Sequence, residues 1–232
     1  MDGNGRWATM RGLPRVEGHR VGVEVVRKIV QSCLEKKIAV LSLFAFSREN
    51  WARPSDEVAF LMELFIAVIN LEVEHFNEHG ISLRFIGDRS QLSDTLRQQM
   101  ETAEAVTRNH QNMILNIALN YTGRWDIVQA TKALIEDALS GKLSSADVNE
   151  TLFDDYLSTR ALPPPDLMIR TSGELRISDF YLWQIAFTEF YFTDVKWPEF
   201  SVDEFERALS AYQHRERRYG LTSSQLTDNE KR

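Results

Sequence analysis

Apolar positions in this chain follow two alternating periods. Across residues 16–37, Val23, Val26, Ile29, Val30 and Leu34 recur every three or four positions, which predicts a helix with one buried stripe. Residues 39–46 are almost continuously apolar, the pattern of a strand covered on both faces. A long helix is then expected from Ser55, read as its N-cap, to a stop near Gly80. Residues 81–86 and 113–119 read as strands, with a polar helix over 93–109 between them. A helix over 125–139 closed by Gly141, a buried strand over 166–170 and a helix over 202–218 complete the series. Strands regularly separated by helices predict one α/β domain with a mainly parallel central β-sheet flanked by helices. Ligands of such sheets bind beyond the carboxyl ends of the strands. Three polar stretches follow predicted strands directly, at 47–53, 120–124 and 170–178, so they are expected to collect at one sheet edge.

No linker divides the chain; Leu162-Pro163-Pro164-Pro165-Asp166 reads as a stiff loop feeding a strand. Residues 1–220 are expected to be the domain and 221–232 a polar, disordered tail. A formal charge of −7 argues against general nucleic-acid binding, which rewards a basic surface, yet permits a local anion pocket. With Cys33 the only cysteine, an internal disulfide is impossible and a reducing cytoplasm fits. The most apolar stretch, 58–73, is broken by Glu63 and Glu72 and falls short of the roughly 20 residues a bilayer span needs.

Within that frame, the candidate chemistry is anionic. The opening Asp2-Gly3-Asn4-Gly5-Arg6 combines glycines that let backbone approach an anion, an arginine for its oxygens, and a carboxylate able to share a divalent cation with it. By spacing alone it reads as a turn. Arg170 and Arg176 flank Gly173 and Glu174 after a strand, suiting a diphosphate, or equally a surface pair balanced by Glu174 and Asp179. His75-Phe76-Asn77-Glu78-His79 matches an inverted zinc-protease pattern, but its place in a last helical turn suits the helix dipole, and nothing points to a third ligand.

Five ordered segments carry a resemblance: residues 1–8, Phe46 to Pro54, Asn120 to Asp126, Arg170 to Ser178, and Leu182 to Glu189. Together they resemble the cis-prenyltransferases of the undecaprenyl diphosphate synthase type, from residue 1 to about Gly220. The resemblance implies repeated condensation of isopentenyl diphosphate onto farnesyl diphosphate, giving undecaprenyl diphosphate for cell-wall lipid carriage. It implies a cytoplasmic homodimer that contacts membrane transiently to release product. By this resemblance Gly3, Asn4, Gly5 and Arg6, with Arg15, His19 and Arg53, surround the primer diphosphate. Arg170, Arg176 and Ser178 take that of isopentenyl diphosphate. Trp7, Ser47, Glu49 and Trp51 join the substrate-binding set, and Arg218, in Arg218-Tyr219-Gly220, completes it across the dimer. Asp2 and Glu189 would hold Mg2+, and Asp2 and Asn50 are the catalytic candidates. For the proton acceptor, Asp2, Ser47 with Asn50, and the diphosphate itself stay open.

The match has departures. The family's opening motif follows an apolar strand, whereas Met1 stands one residue before Asp2; either that strand lies outside this numbering or it is missing, in which case Asp2 is expected to be mobile. Arg48 and Thr122 replace a usual small residue and a usual glycine. Asp154-Asp155 lacks a third aspartate at Ser158, so the aspartate-rich motif of the trans-prenyltransferases is absent. Apolar residues wrap the 58–76 helix beyond one stripe, which fits either a core helix or, by the resemblance, one wall of a hydrophobic tunnel with Leu43 and Ala45. Ala45 and Ala67 are the positions expected to limit it. A shorter-chain synthase and a non-catalytic partner subunit are the alternative readings.

Overall fold

The computed structural model describes residues 1–216. In chain order they form α1 (Asn4–Thr9), α2 (Arg15–Glu35), β1 (Val40–Ser47), α3 (Ser55–Glu78), β2 (Ile81–Ile86), α4 (Asp94–Thr107), β3 (Met113–Tyr121), α5 (Gly123–Leu139), α6 (Glu150–Tyr156), β4 (Leu167–Arg170), β5 (Glu189–Phe192) and α7 (Val202–Gln213). A 3-10 turn, Arg48–Ala52, joins β1 to α3. All pairings are parallel: β1-β3-β2 form one sheet and β4-β5 another. Among the described residues no ladder joins β1 to β4.

The expected helices and strands are present, with differences at their ends. Ser55 is the first residue of α3 rather than its cap, because Pro54 takes the cap position and its carbonyl accepts from Val58. Ser93 and Thr122 do cap α4 and α5, each accepting a backbone N–H with its side chain. The Gly-Asn-Gly stretch is not a turn leading to α2 but the start of a separate helix, α1. Gly3 makes that entry at φ 98, and a Cβ there would lie 2.7 Å from Ser172 Oγ. The final helix stops at Gln213, five residues short of expectation; Arg218 and the tail lie outside the described residues.

The core forms where α2, α3 and α4 cover β1-β3-β2. Ile29, Val30, Leu61, Ile69, Leu96 and Met100 meet Leu83, Leu115 and Leu119 there, and burial on this scale is the main force holding the layers. A second cluster of Tyr121, Phe180, Tyr181 and Ile185 seats the 171–188 segment against β3. Cys33 is fully buried, and burial pushes its thiol up to about 12, leaving it inert. No helix among the described residues is long and apolar enough to cross a membrane.

Candidate functional site

The three polar stretches do gather beyond the carboxyl ends of the strands, and the opening residues join them there. Asp2 is held at several points. Its backbone N–H donates to Thr171 Oγ1 at 2.8 Å, and its carbonyl accepts from Trp197 N at 2.9 Å and Thr171 Oγ1 at 3.0 Å. Its carboxylate Oδ2 accepts from Arg170 Nε at 3.0 Å. The aspartate expected to be mobile is therefore fixed within the described residues. Arg170 is only 8% exposed, and its Nη1 also donates to Ser178 Oγ at 2.9 Å and to the Arg176 carbonyl.

Two carboxylates organise the remaining cations. Glu174 pairs with Arg6 at 2.7 Å and with Arg176, so Arg6 stands with the Arg170–Ser178 loop rather than with Arg15. Glu57, 7% exposed in the first turn of α3, accepts from Arg15 Nε at 3.0 Å and from Arg53 Nη1 at 3.3 Å. His19 Nε2 lies 3.5 Å from the same carboxylate, an ionic distance without a hydrogen bond. Burial works against Glu57 ionising, but the hydrogen bond from Arg15 and the charges of Arg15, Arg53 and His19 outweigh it and hold the carboxyl below its ordinary range. His19 is held below the usual histidine range, by burial first and by the charge of Arg53 second.

Gly5 packs beneath Arg15: a Cβ on it would fall 2.6 Å from the guanidinium carbon. Asn4 Nδ2 bonds the Met1 carbonyl, while its Oδ1 and Trp7 Nε1 are buried without partners among the described residues. Asn50 Oδ1 accepts from Ser47 N at 3.1 Å, folding the 48–52 turn, and Trp51 Nε1 ties that turn to Asn120 Oδ1 at 2.8 Å. Arg48 bonds Asp88 at 2.7 Å. Glu49 is exposed on the rim. Backbone strain concentrates in the opposing loop, where Ser172, Ser178, Asp179 and Tyr181 all have positive φ.

Beside these groups opens a cavity of about 1840 Å3, which Asp2, His19, Asn50, Arg53, Arg170 and Ser178 line at its polar end. Its interior is apolar: Val23 and Val26 of α2, Leu41, Leu43 and Ala45 of β1, Leu64, Phe65 and Val68 of α3. On α3, Leu61 and Ile69 line this space together with Leu64, Phe65 and Val68, while Leu61 and Ile69 also belong to the core cluster against which Phe65 packs, so one apolar face serves both core and cavity. Ala67 is not on that wall; it faces solvent.

The two acids expected to share a metal are not brought together within the chain. Asp2 sits at the Arg170 end of β4, whereas Glu189 pairs with Leu167 at the other end, about 10 Å away along the strand, and bonds Arg215 at 2.8 Å. Asp2 alone fits a magnesium ion: one carboxylate with Oδ1 lacking a partner among the described residues, at a mouth lined by Arg53, Arg170 and Arg176, is the sparse protein share that this ion takes. No group of three or more metal-ligating side chains exists among the described residues. Glu57 and the Thr171 and Trp197 anchors were not singled out by sequence. The signal available for Glu57 was its place four residues after Arg53 on a helical start.

A parallel α/β domain with two cation clusters at the mouth of one apolar cavity defines a protein that binds charged heads and apolar tails together. The family described as "Putative undecaprenyl diphosphate synthase" matches residues 1–220, and the chain belongs to this family, the cis-prenyltransferases. A ditrans,polycis-undecaprenyl-diphosphate synthase ((2E,6E)-farnesyl-diphosphate specific) of Legionella pneumophila (strain Paris) is 59% identical over 223 residues, covering 96% of this chain and 94% of that protein. Among solved structures, lavandulyl diphosphate synthase from Lavandula x intermedia, in complex with dimethylallyl diphosphate, is similar at a TM-score of 0.91 and 34% identity, covering 95% of each chain. A probable undecaprenyl diphosphate synthase from Campylobacter jejuni is similar at a TM-score of 0.76 and 36% identity, covering 87% of this chain and 92% of that one.

Proposed function

We propose that the chain lengthens farnesyl diphosphate by successive condensation with isopentenyl diphosphate, each step leaving a cis double bond, to undecaprenyl diphosphate. The observation that carries this reading is the pair of cation clusters on one apolar cavity. His19 and Arg53, with Arg15 held beside them through Glu57, lie on one side, Arg170 and Arg176 on the other, with Asp2 at the mouth. A primer whose diphosphate rests on the first cluster directs its apolar tail inward. The second cluster presents isopentenyl diphosphate with its double bond facing the primer's allylic carbon. The carbon–oxygen bond to the primer's diphosphate breaks as the new carbon–carbon bond forms, and loss of a proton sets the new double bond. Preplaced cations stabilise the charge that develops on the departing diphosphate, usually the largest catalytic contribution.

Asp2 would hold Mg2+, which when bound neutralises diphosphate oxygens; Glu189 joins it only from another copy of the chain or after a rearrangement. The same reading makes the protein a cytoplasmic homodimer that meets membrane to release product. A second reading, a shorter product, is favoured by the TM-score of 0.91 with lavandulyl diphosphate synthase. The cavity favours the first, because its volume exceeds the roughly 300–1,000 Å3 of ordinary ligand sites. Incubation with farnesyl diphosphate, labelled isopentenyl diphosphate and Mg2+, followed by sizing of the extracted products, separates long chains, single additions and no reaction.

A further inference from the structure

Arg15 and His19 come from the first turns of α2, and Arg53 from the end of the turn after β1. Among the described residues each has one hydrogen-bonding or ionic side-chain partner, and it is the same one, Glu57. Arg15 is the telling member. Its side chain is half exposed and packs over Gly5, where no side chain competes for the space, so nothing but Glu57 fixes the direction of its guanidinium. The carboxylate bonds Arg15 through Nε and Nη2, at 3.0 and 3.4 Å, which leaves Nη1 without a polar partner among the described residues.

We propose that Glu57 is a positioning residue for the primer's diphosphate, gathering two guanidinium groups and the His19 imidazole from two separate segments into one preformed anion site. This rests on the reading of Arg15, His19 and Arg53 as the primer's diphosphate site. A carboxylate beside an anion site also opposes the anion, so two effects compete. Glu57 is buried behind the cations, and two guanidinium charges exceed its one. Fixing two long, rotamer-rich side chains before the ligand arrives removes an ordering cost from binding. Orientation is therefore the larger effect here, and loss of Glu57 weakens diphosphate binding rather than strengthening it.

The test uses the full chain with inorganic pyrophosphate as the calorimetric probe and steady-state kinetics with farnesyl diphosphate. Glu57→Gln keeps the side-chain volume and one acceptor oxygen; Glu57→Asp keeps the charge but withdraws it from the guanidinium groups, and serves if the first variant melts early. Either is expected to weaken pyrophosphate binding about tenfold and to raise KM for the primer by a similar factor, with kcat changed far less. Added to Arg15→Ala, the Glu57 change is expected to cost much less than it does alone, since the side chain it orients is gone. Unchanged or tighter pyrophosphate binding with a lowered melting temperature would make Glu57 a stabilising core ion only and overturn the proposal. If Arg15→Ala and Arg53→Ala leave pyrophosphate binding and primer KM untouched, the primer-site reading itself fails, and the role of Glu57 with it.

Discussion

At the residue scale, the polar side chains that matter are those whose partners are few and specific. Asp2 is tied through its backbone to Thr171 and Trp197 and through its carboxylate to Arg170, so its side chain can be removed with the backbone still anchored. Asp2→Ala is expected to lower magnesium-dependent turnover by about 100-fold or more, with primer binding nearly unchanged, because the Glu57 cluster is not touched. Parallel turnover and binding measurements check this; near-normal turnover removes Asp2 from the mechanism. Acidity acts on the neighbouring cluster. His19 is kept neutral in the fold by burial and by Arg53, so the unfolded chain binds its proton more readily. The stability this contributes is present above the ordinary histidine value of about 6.5 and is lost as pH falls from there through the depressed folded value. Glu57, also depressed, adds a further loss in the carboxylate range below about 4.5. The melting temperature of the protein should fall between pH 7 and 5, and His19→Gln should flatten that fall; an identical pH profile in the variant contradicts this assignment. Sequence made Asp2, Arg53 and Arg170 visible as charged residues in motifs. Glu57 offered only its i,i+4 spacing from Arg53, and an acid in a helix's first turn is ordinarily read as complementing the dipole.

At the element scale, the opening segment is positioned by contact between α1 and α2. A Cβ on Gly18 would lie 2.0 Å from the Asn4 carbonyl oxygen, and one on Gly22 would lie 2.6 Å from Asn4 Oδ1. Gly18→Ala should therefore displace α1, costing about 1–3 kcal/mol of stability and carrying Asp2 and Arg6 away from their partners. A melting curve beside turnover and KM for isopentenyl diphosphate reads both effects; a variant unchanged in both would mean that α1 shifts without consequence. The long apolar periods of α2 and α3 and the continuous runs of β1 and β3 were legible because burial dictates them directly. β5 was not, since Glu189 to Phe192 opens on a charged residue and, unlike β4, is not an apolar run fed by a proline-rich loop. α1 was missed for a related reason: two glycines in its first residues mask a helix that α2 and the turn at Trp197 stabilise by packing.

For the whole molecule, the arrangement of layers explains why charge and apolar space meet. Parallel strands bring 47–53, 120–124 and 170–178 to one edge, and the apolar face of α3 that runs from Leu61 to Ile69 borders both the packed core and open space. Periodicity in the sequence reported that more than one face of this helix avoids water, but not whether protein or ligand lies against it. Only the cavity distinguishes the two. It also replaces Ala67, which faces solvent, with Val68 as the position that controls the wall.

If diphosphates sit at the mouth while the growing chain fills the cavity, product length reports the size of that cavity. Each added isoprene gains roughly 0.8 kcal/mol per methylene buried, so growth continues while apolar room remains. Mass analysis of products from the parent, Ala45→Leu and Val68→Phe, with melting curves for each, is the measurement. Both variants are expected to give shorter products, with initial condensation retained, since neither substitution touches the cation clusters. Unchanged product lengths with lowered melting temperatures in both would contradict it, making these walls core and placing the chain elsewhere.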